Sequence, residues 1–91
     1  MNFLRYDLQL SATDVVEVTL DRQANVRLLD AQNFSLFTSR QAHRYHGGLA
    51  KRSPFRLRAP SAGSWHLVID LGGYAGQVRA SVRTLRASHN A

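Results

Sequence analysis

The chain has 91 residues, a length that suits a single domain, and it contains no cysteine, which excludes disulfide bonds and thiolate zinc sites. Its apolar runs are far shorter than the ~20 residues of a membrane-spanning helix, and its N-terminus lacks the apolar core of a secretory signal. These features predict a cytoplasmic protein without a membrane span.

Arginine dominates the formal net charge of +6. Residues 1–30 hold three arginines against five acidic side chains, whereas residues 31–91 hold eight arginines and Lys51 against Asp70 alone. Arginine is a planar donor suited to phosphate and carboxylate groups. The asymmetry therefore favours an anionic partner, although a charge of this size also keeps a small domain in solution.

Most of the chain alternates apolar and polar residues with the period of two that is typical of β-strands. The first clear strand covers residues 15–20 and is rich in β-branched side chains. Ser11 and Asp14 before it have the spacing of a helix capping box, but the β-branched run is a poor helix former, so we expect a turn. A second strand is expected at residues 25–30.

Residues 30–41 give a mixed signal, because Phe34 and Phe37 have helical spacing while their polar neighbours favour turns. We expect one or two helical turns there. In the segment QAHRYHGG that follows, the paired glycines Gly47 and Gly48 predict a sharp bend.

Three further alternating runs, at residues 55–58, 65–71 and 78–83, are separated by the turn-like sequences APSAGS and GGYAGQ. We expect these runs to form an antiparallel meander, with Trp65 anchored in the core because it alternates in phase with the apolar residues of its strand.

The whole pattern predicts an all-β fold: a small antiparallel β-sandwich or partly open barrel of five or six short strands, with at most one short helical turn near residues 31–41. We assign residues 1–86 to a single β domain and residues 87–91 to a C-terminal tail that frays.

Two histidines, His43 and His46, lie three residues apart, which places them on opposite faces of a strand and brings them together only on a helical turn. A metal would also need a third ligand, and no aspartate, glutamate or cysteine lies nearby in the sequence. We therefore expect no metal site and no cofactor.

A hydrolase triad can be drawn from Ser64, His66 and Asp70, which share a strand face by parity. His66 and Asp70 are roughly 13 Å apart along an extended strand, however, which is too far for the hydrogen bond of a triad. The GGYAG sequence opens a strand rather than a helix, so it favours a tight turn over a phosphate cradle. We expect no enzymatic activity, and we expect Asp70 to pair with an arginine or to cap the glycine turn.

The arginines are the main candidates for function. Four of them would share one solvent-exposed face of the meander, with a histidine between them: Arg56, Arg58, Arg79, Arg83 and His66. Such a face can bind an acidic protein surface, single-stranded nucleic acid or an anionic lipid headgroup, and it can equally be a solvated surface that keeps sheets apart. Arg44 and Tyr45 are further candidates for partner contacts, and Tyr45 or Tyr74 would supply stacking for nucleic acid.

Similarity to a known family is carried by four stretches: MNFLRYDL, DVVEVTLDRQANVRLLD, HRYHGG and RSPFRLRAPSAGSWHLVIDLGGYAGQVRASVR. With these stretches the chain resembles a small bacterial family known only as a domain of unknown function, which occurs alone or appended to Toll/interleukin-1 receptor (TIR) domains. The resemblance implies a mainly β fold and an accessory part that senses or recruits something for an effector. It implies no catalytic residues.

The sequence therefore predicts a non-enzymatic binding or accessory module for an anionic or protein partner. The alternative is a nucleic-acid-binding β domain that uses the basic sheet face.

Overall fold

The computed structural model describes residues 2–86, which form two antiparallel β-sheets and one short helix. The predicted tail at residues 87–91 lies outside the described residues. The elements in chain order are β1 (Leu4–Leu10), β2 (Val15–Leu20), β3 (Ala24–Leu29), α1 (Ala31–Thr38), β4 (His46–Ala50), β5 (Phe55–Arg58), β6 (Gly63–Asp70) and β7 (Ala80–Leu85). The predicted all-β sandwich is confirmed, and residues 2–86 form seven strands where we expected five or six.

The strands pair in the order β1-β6-β3-β4 in a four-stranded sheet and β5-β2-β7 in a three-stranded sheet. The expected meander of the last three strands is therefore wrong, because β6 belongs to one sheet while β5 and β7 flank β2 in the other. The turn-like segments at residues 59–62 and 71–79 cross between the sheets instead of closing hairpins. Alternation indicates which side chains share a face, but it does not determine which strands pair.

The main core lies between the two sheets. It is built from the inward side chains of β2, β3 and β6, among which Val16, Val18, Leu28 and Leu67 are completely buried. Burial of each such side chain contributes about 1.5–3 kcal/mol. Trp65 is also in this core, as predicted, and its indole Nε1 donates a hydrogen bond to the carbonyl of Ser61 at 3.0 Å.

A second, smaller core lies on the outer face of the four-stranded sheet, where α1 packs. Phe37 of α1 meets Leu29 and Val68 there. Asp30 caps the helix, since its carboxylate accepts a hydrogen bond from the backbone N–H of Asn33 at 2.8 Å. The outer face of the three-stranded sheet has no helix over it within residues 2–86.

The helix α1 has eight residues. Across residues 2–86, no helix combines the length and apolar character that a bilayer crossing requires.

Asp70 is a buried acid at the end of β6, and it satisfies both roles predicted for it. Its carboxylate forms an ion pair with Arg27 of β3, and it accepts hydrogen bonds from the backbone N–H of Gly72 at 2.7 Å and from Asn25 Nδ2 at 3.1 Å. The arginine stem is also mostly buried, with its guanidinium 5.5 Å from the ring of Phe37. The acid therefore ties β3, β6 and the glycine turn together.

The predicted bend at Gly47 and Gly48 is wrong, because both residues lie within β4. Gly47 pairs with Arg27 and has a φ of +128°, and a Cβ atom at this position would lie 2.2 Å from the carbonyl oxygen of Val26. Glycine is therefore needed here for the close approach of two strands, a use of glycine that the sequence does not distinguish from a turn.

We predict that Gly47→Ala lowers the free energy of unfolding by about 2 kcal/mol or more, because the new methyl group collides with the backbone of β3. The matched control is Gly73→Ala, which also has a positive φ of +93° but has no atom within 4 Å of the new methyl group. Urea unfolding of both variants measures the difference. Equal losses in the two variants would contradict the proposed close approach.

We predict that Asp70→Asn costs about 3 kcal/mol, because it leaves the partly buried Arg27 guanidinium without its counter-charge. Asp7→Asn serves as the control, since the Asp7 side chain is 61% exposed. Thermal unfolding should show a large decrease in Tm for the first variant and a much smaller change for the second. A similar Tm for both would show that the Asp70 ion pair is dispensable.

Candidate functional site

The outer face of the three-stranded sheet carries the candidate site, which we call the arginine face: Arg56, Arg58, Arg79 and Arg83 around Glu17. Since Val16 and Val18 of β2 point into the core, Glu17 between them points outward. In the strand register Glu17 lies directly opposite Arg56 of β5 on one side and Arg83 of β7 on the other.

The two arginines converge on the one carboxylate. Arg56 Nε and Nη2 both lie 2.9 Å from Glu17 Oε2, and Arg83 Nε lies 2.7 Å from Glu17 Oε1. The acid is almost covered, with 7% of its side chain exposed, whereas the side chains of Arg56 and Arg83 are 60% and 69% exposed. The acid therefore lies beneath its partners. The other N–H groups of both guanidinium groups form no hydrogen bond with residues 2–86, so a ligand can reach them.

The same contacts favour the ionised form of the Glu17 carboxylate. Hydrogen bonds from Arg83 and Arg56 hold the pKa of Glu17 below its ordinary value of 4.5, although burial alone would raise it. Glu17 is therefore ionised at neutral pH, and it stabilises both arginines in one orientation.

The other two arginines extend this face. Arg58 is exposed and lies two residues from Arg56 on the same side of β5. Arg79 lies one residue before β7, where its backbone N–H donates to the Asp21 carboxylate at 2.8 Å and its carbonyl accepts from the Asp21 N–H at 3.1 Å. Neither guanidinium group forms an ion pair with a residue from 2 to 86.

The placement of His66 between these arginines is wrong. His66 belongs to β6 in the other sheet and faces α1, where its Nδ1 lies 2.8 Å from Asp7 Oδ1 and its ring stacks on Phe34 at 4.7 Å. Hydrogen bonds from His66 and Arg5 lower the pKa of Asp7. The predicted placement of His66 depended on the expected meander, which the structure does not form.

Arg44 and Tyr45 also lie away from the arginine face, just before β4. Tyr45 is half exposed, and the Arg27 guanidinium lies 5.3 Å from its ring. Tyr74 is exposed in the loop between β6 and β7. The aromatic residues that would stack on nucleic-acid bases are therefore not beside the four arginines.

The two histidines considered as metal ligands contact different sides of the four-stranded sheet. His43 meets Phe37 on the helix side at 5.3 Å between ring centroids, and His46 meets Trp65 on the core side at 5.9 Å. Across residues 2–86 no group of three histidine, cysteine, aspartate or glutamate side chains is placed to hold a metal ion.

A cleft of 810 Å³ lies between the start of β1 and the loop after β6, lined mainly by apolar side chains such as Phe3, Leu4 and Ile69. The buried Asp70 also lines the cleft, and its carboxylate is engaged with Arg27, Asn25 and the Gly72 N–H. The cleft therefore offers mainly apolar surface, and the carboxylate in its lining is already paired within the fold.

Sequence reasoning missed Glu17 and the similar pair of Asp14 and Arg86, in which Arg86 Nη1 lies 2.5 Å from Asp14 Oδ2. Asp14 is buried in the turn between β1 and β2 and also accepts a hydrogen bond from the Ser11 N–H at 2.8 Å. A signal for Glu17 was present, since it is the single acid of β2 and lies between two inward-pointing valines. Its arginine partners are distant in sequence, so the pairing itself was not visible.

We predict that Glu17→Gln lowers the free energy of unfolding at neutral pH, because it removes the carboxylate that both arginines bind. A group with a depressed folded pKa stabilises the fold above its unfolded pKa, and this contribution is lost as the pH falls through the folded pKa. The difference between the two proteins in urea unfolding should therefore be present at neutral pH, decrease as the pH falls below 4.5, and disappear only below the lowered folded pKa of Glu17. A difference that does not change with pH would contradict this assignment.

Comparison with known proteins identifies a family for this chain but no individual protein that matches it. No curated protein and no solved structure matches the chain. The model of a family described as "Domain of unknown function (DUF1883)" matches residues 1–88, which is nearly the whole sequence. The chain therefore belongs to this family of domains of unknown function.

Proposed function

We propose that this domain is a non-enzymatic binding module that holds an acidic surface of a partner protein on its arginine face. The observation that carries the proposal is the outer face of the three-stranded sheet, over which no helix of residues 2–86 lies. On this face Arg56 and Arg83 bind the covered Glu17, and Arg58 and Arg79 add two further exposed cations. The strand geometry spaces Arg56 and Arg58 about 7 Å apart and Arg79 and Arg83 about 13 Å apart along their strands. Arg56 and Arg83 lie about 10 Å apart across the central strand. Carboxylates on a protein surface meet such an array through charge-assisted hydrogen bonds.

The alternative of a merely solvated face accounts less well for Glu17. Charged residues that serve solubility need no common counter-ion beneath them. Here the carboxylate fixes Arg56 and Arg83 before any ligand arrives, so less side-chain entropy is lost on binding. Preorganised donors of this kind support a binding role.

An acidic protein surface fits this face better than single-stranded nucleic acid does. Binding of single strands relies on bases stacked on aromatic rings, and Tyr45 and Tyr74 lie outside the arginine face. Nucleic acid stays the second candidate, because guanidinium groups bind phosphate oxygens with the same geometry.

We also propose a cellular context for this binding module, which rests on the family resemblance. An accessory role beside a TIR effector in the bacterial cytoplasm is supported by the resemblance and is compatible with a surface for an acidic partner. Isolation of the native complex from the source cell, followed by mass spectrometry, tests this context. Recovery of metabolic enzymes without an effector would remove it.

We predict that Arg58→Ala/Arg79→Ala weakens binding of fluorescent poly-glutamate by about tenfold, because it removes two cations that form no ion pair with residues 2–86 while the Glu17 contacts stay intact. The matched control, Arg5→Ala/Arg40→Ala, removes the same charge from β1 and from the residues after α1, away from both the arginine face and β4, and should have a much smaller effect. Fluorescence anisotropy at low and physiological salt measures both, and added salt should weaken binding to the natural protein.

A mixed single-stranded oligonucleotide of equal charge is the competing probe. Tighter binding of the oligonucleotide than of poly-glutamate would favour the nucleic-acid alternative. Equal losses in the two double variants, or no binding of either probe at low salt, would contradict the arginine face as the binding site.

A further inference from the structure

The strand β4 forms an edge of the four-stranded sheet and contains no arginine, lysine or acidic residue. Among the strands that the structure describes, it pairs with β3 on one side and with none on the other. Within residues 2–86 the other three edge strands contain arginine or acidic side chains, whereas β4 has the sequence HGGLA. Proteins commonly place charged residues on edge strands to prevent unwanted pairing. This edge lacks that protection.

The same edge exposes apolar surface. Leu49 is 47% exposed and Tyr45 is 43% exposed, and they are two of the three large hydrophobic residues that are exposed in the described chain. Gly47 lies between them, so the three positions follow one another on one face of the strand. The outer edge of β4 therefore offers backbone groups that no strand in the described part of the chain pairs with. Two apolar side chains lie beside them, and Gly47 leaves a gap between these two side chains.

The charges around β4 discriminate between possible occupants. Arg44 precedes the strand, and Lys51 and Arg52 follow it. If two copies of this chain paired antiparallel about Gly48, Arg44 of each copy would lie opposite Arg52 of the other. Like charges in opposed positions destabilise a strand pair, so the flanks disfavour a second copy and favour an acidic strand.

We propose that β4 binds an extended segment of a partner protein by strand addition, and that this segment has an uncharged centre flanked by acidic residues. The backbone of the segment would pair with the free edge, its centre would cover Leu49, and its acidic ends would meet the cationic flanks. This site lies in the other sheet from the arginine face and does not depend on it.

The test uses a synthetic peptide with five alternating valine and threonine residues, matching the five residues of β4, and two glutamates at each end. Addition of the peptide should shift the NMR amide signals of His46–Ala50. It should slow hydrogen exchange at the amides that point to the outer edge, since the others already face β3. Two further peptides carry N-methyl groups on every second backbone nitrogen, one on the odd and one on the even positions. One of them should no longer bind and the other should bind normally, because only one edge of the peptide faces β4.

The variant Leu49→Asp should weaken peptide binding about tenfold or more, since it removes apolar contact and places an acid at the centre of the edge. Gln9→Asp places the same charge on β1 at the opposite edge of the sheet and should leave the affinity unchanged. Thermal unfolding confirms that both variants are folded. The Arg58→Ala/Arg79→Ala variant should also bind the peptide normally, which separates this site from the arginine face.

Three results would overturn the proposal. The first is failure of the peptide to bind. The second is a set of amide shifts confined to β2, β5 and β7, together with loss of peptide binding in Arg58→Ala/Arg79→Ala. The third is protection of β4 amides that increases with protein concentration in the absence of peptide, which would identify a second copy as the occupant.

Discussion

The structure depends on the alternation of β2, the central strand of the three-stranded sheet. Val16 and Val18 are completely buried between the sheets. A shift of one residue in the register would expose both and bury Glu17 in the core, so the hydrophobic interface fixes the direction in which this acid points. The same register determines that Arg56 and Arg83 are its neighbours. Core packing and the arrangement of the arginine face therefore have a common cause.

Two ion-pair systems in this domain have different consequences. Asp70 and Arg27 lie on the helix side of the four-stranded sheet, where the acid is buried and the arginine is mostly covered, and the pair holds β3 to β6. Glu17 also has little exposure, but its two arginine partners extend into solvent. In the first system the fold covers most of the arginine, whereas in the second the guanidinium groups are exposed to solvent and accessible to a ligand. This difference makes the arginine face, rather than the more buried pair, the better candidate for a partner.

The part of the fold that could be predicted is the part that local alternation determines. The inward direction of Trp65 and the outward direction of Arg56 and Arg83 follow from the period of two within each strand, and the structure agrees. Strand pairing is not local, because the segments after β5 and β6 have the composition of hairpin turns but cross between sheets. His66 was misplaced for this reason. β4 was not recognised because Gly47, which permits two backbones to approach, has the same signature in a sequence as a bend.

The central claim is that one carboxylate orders two arginines on the outer face of the three-stranded sheet. An NMR pH titration that follows the Glu17 carboxyl carbon together with the Nε–H signals of Arg56 and Arg83 tests it most directly. The account predicts that all three signals change in one shared step at a pH below 4.5, because protonation of the acid releases both donors. Arginine signals that do not change while Glu17 titrates at its ordinary pKa would contradict the account.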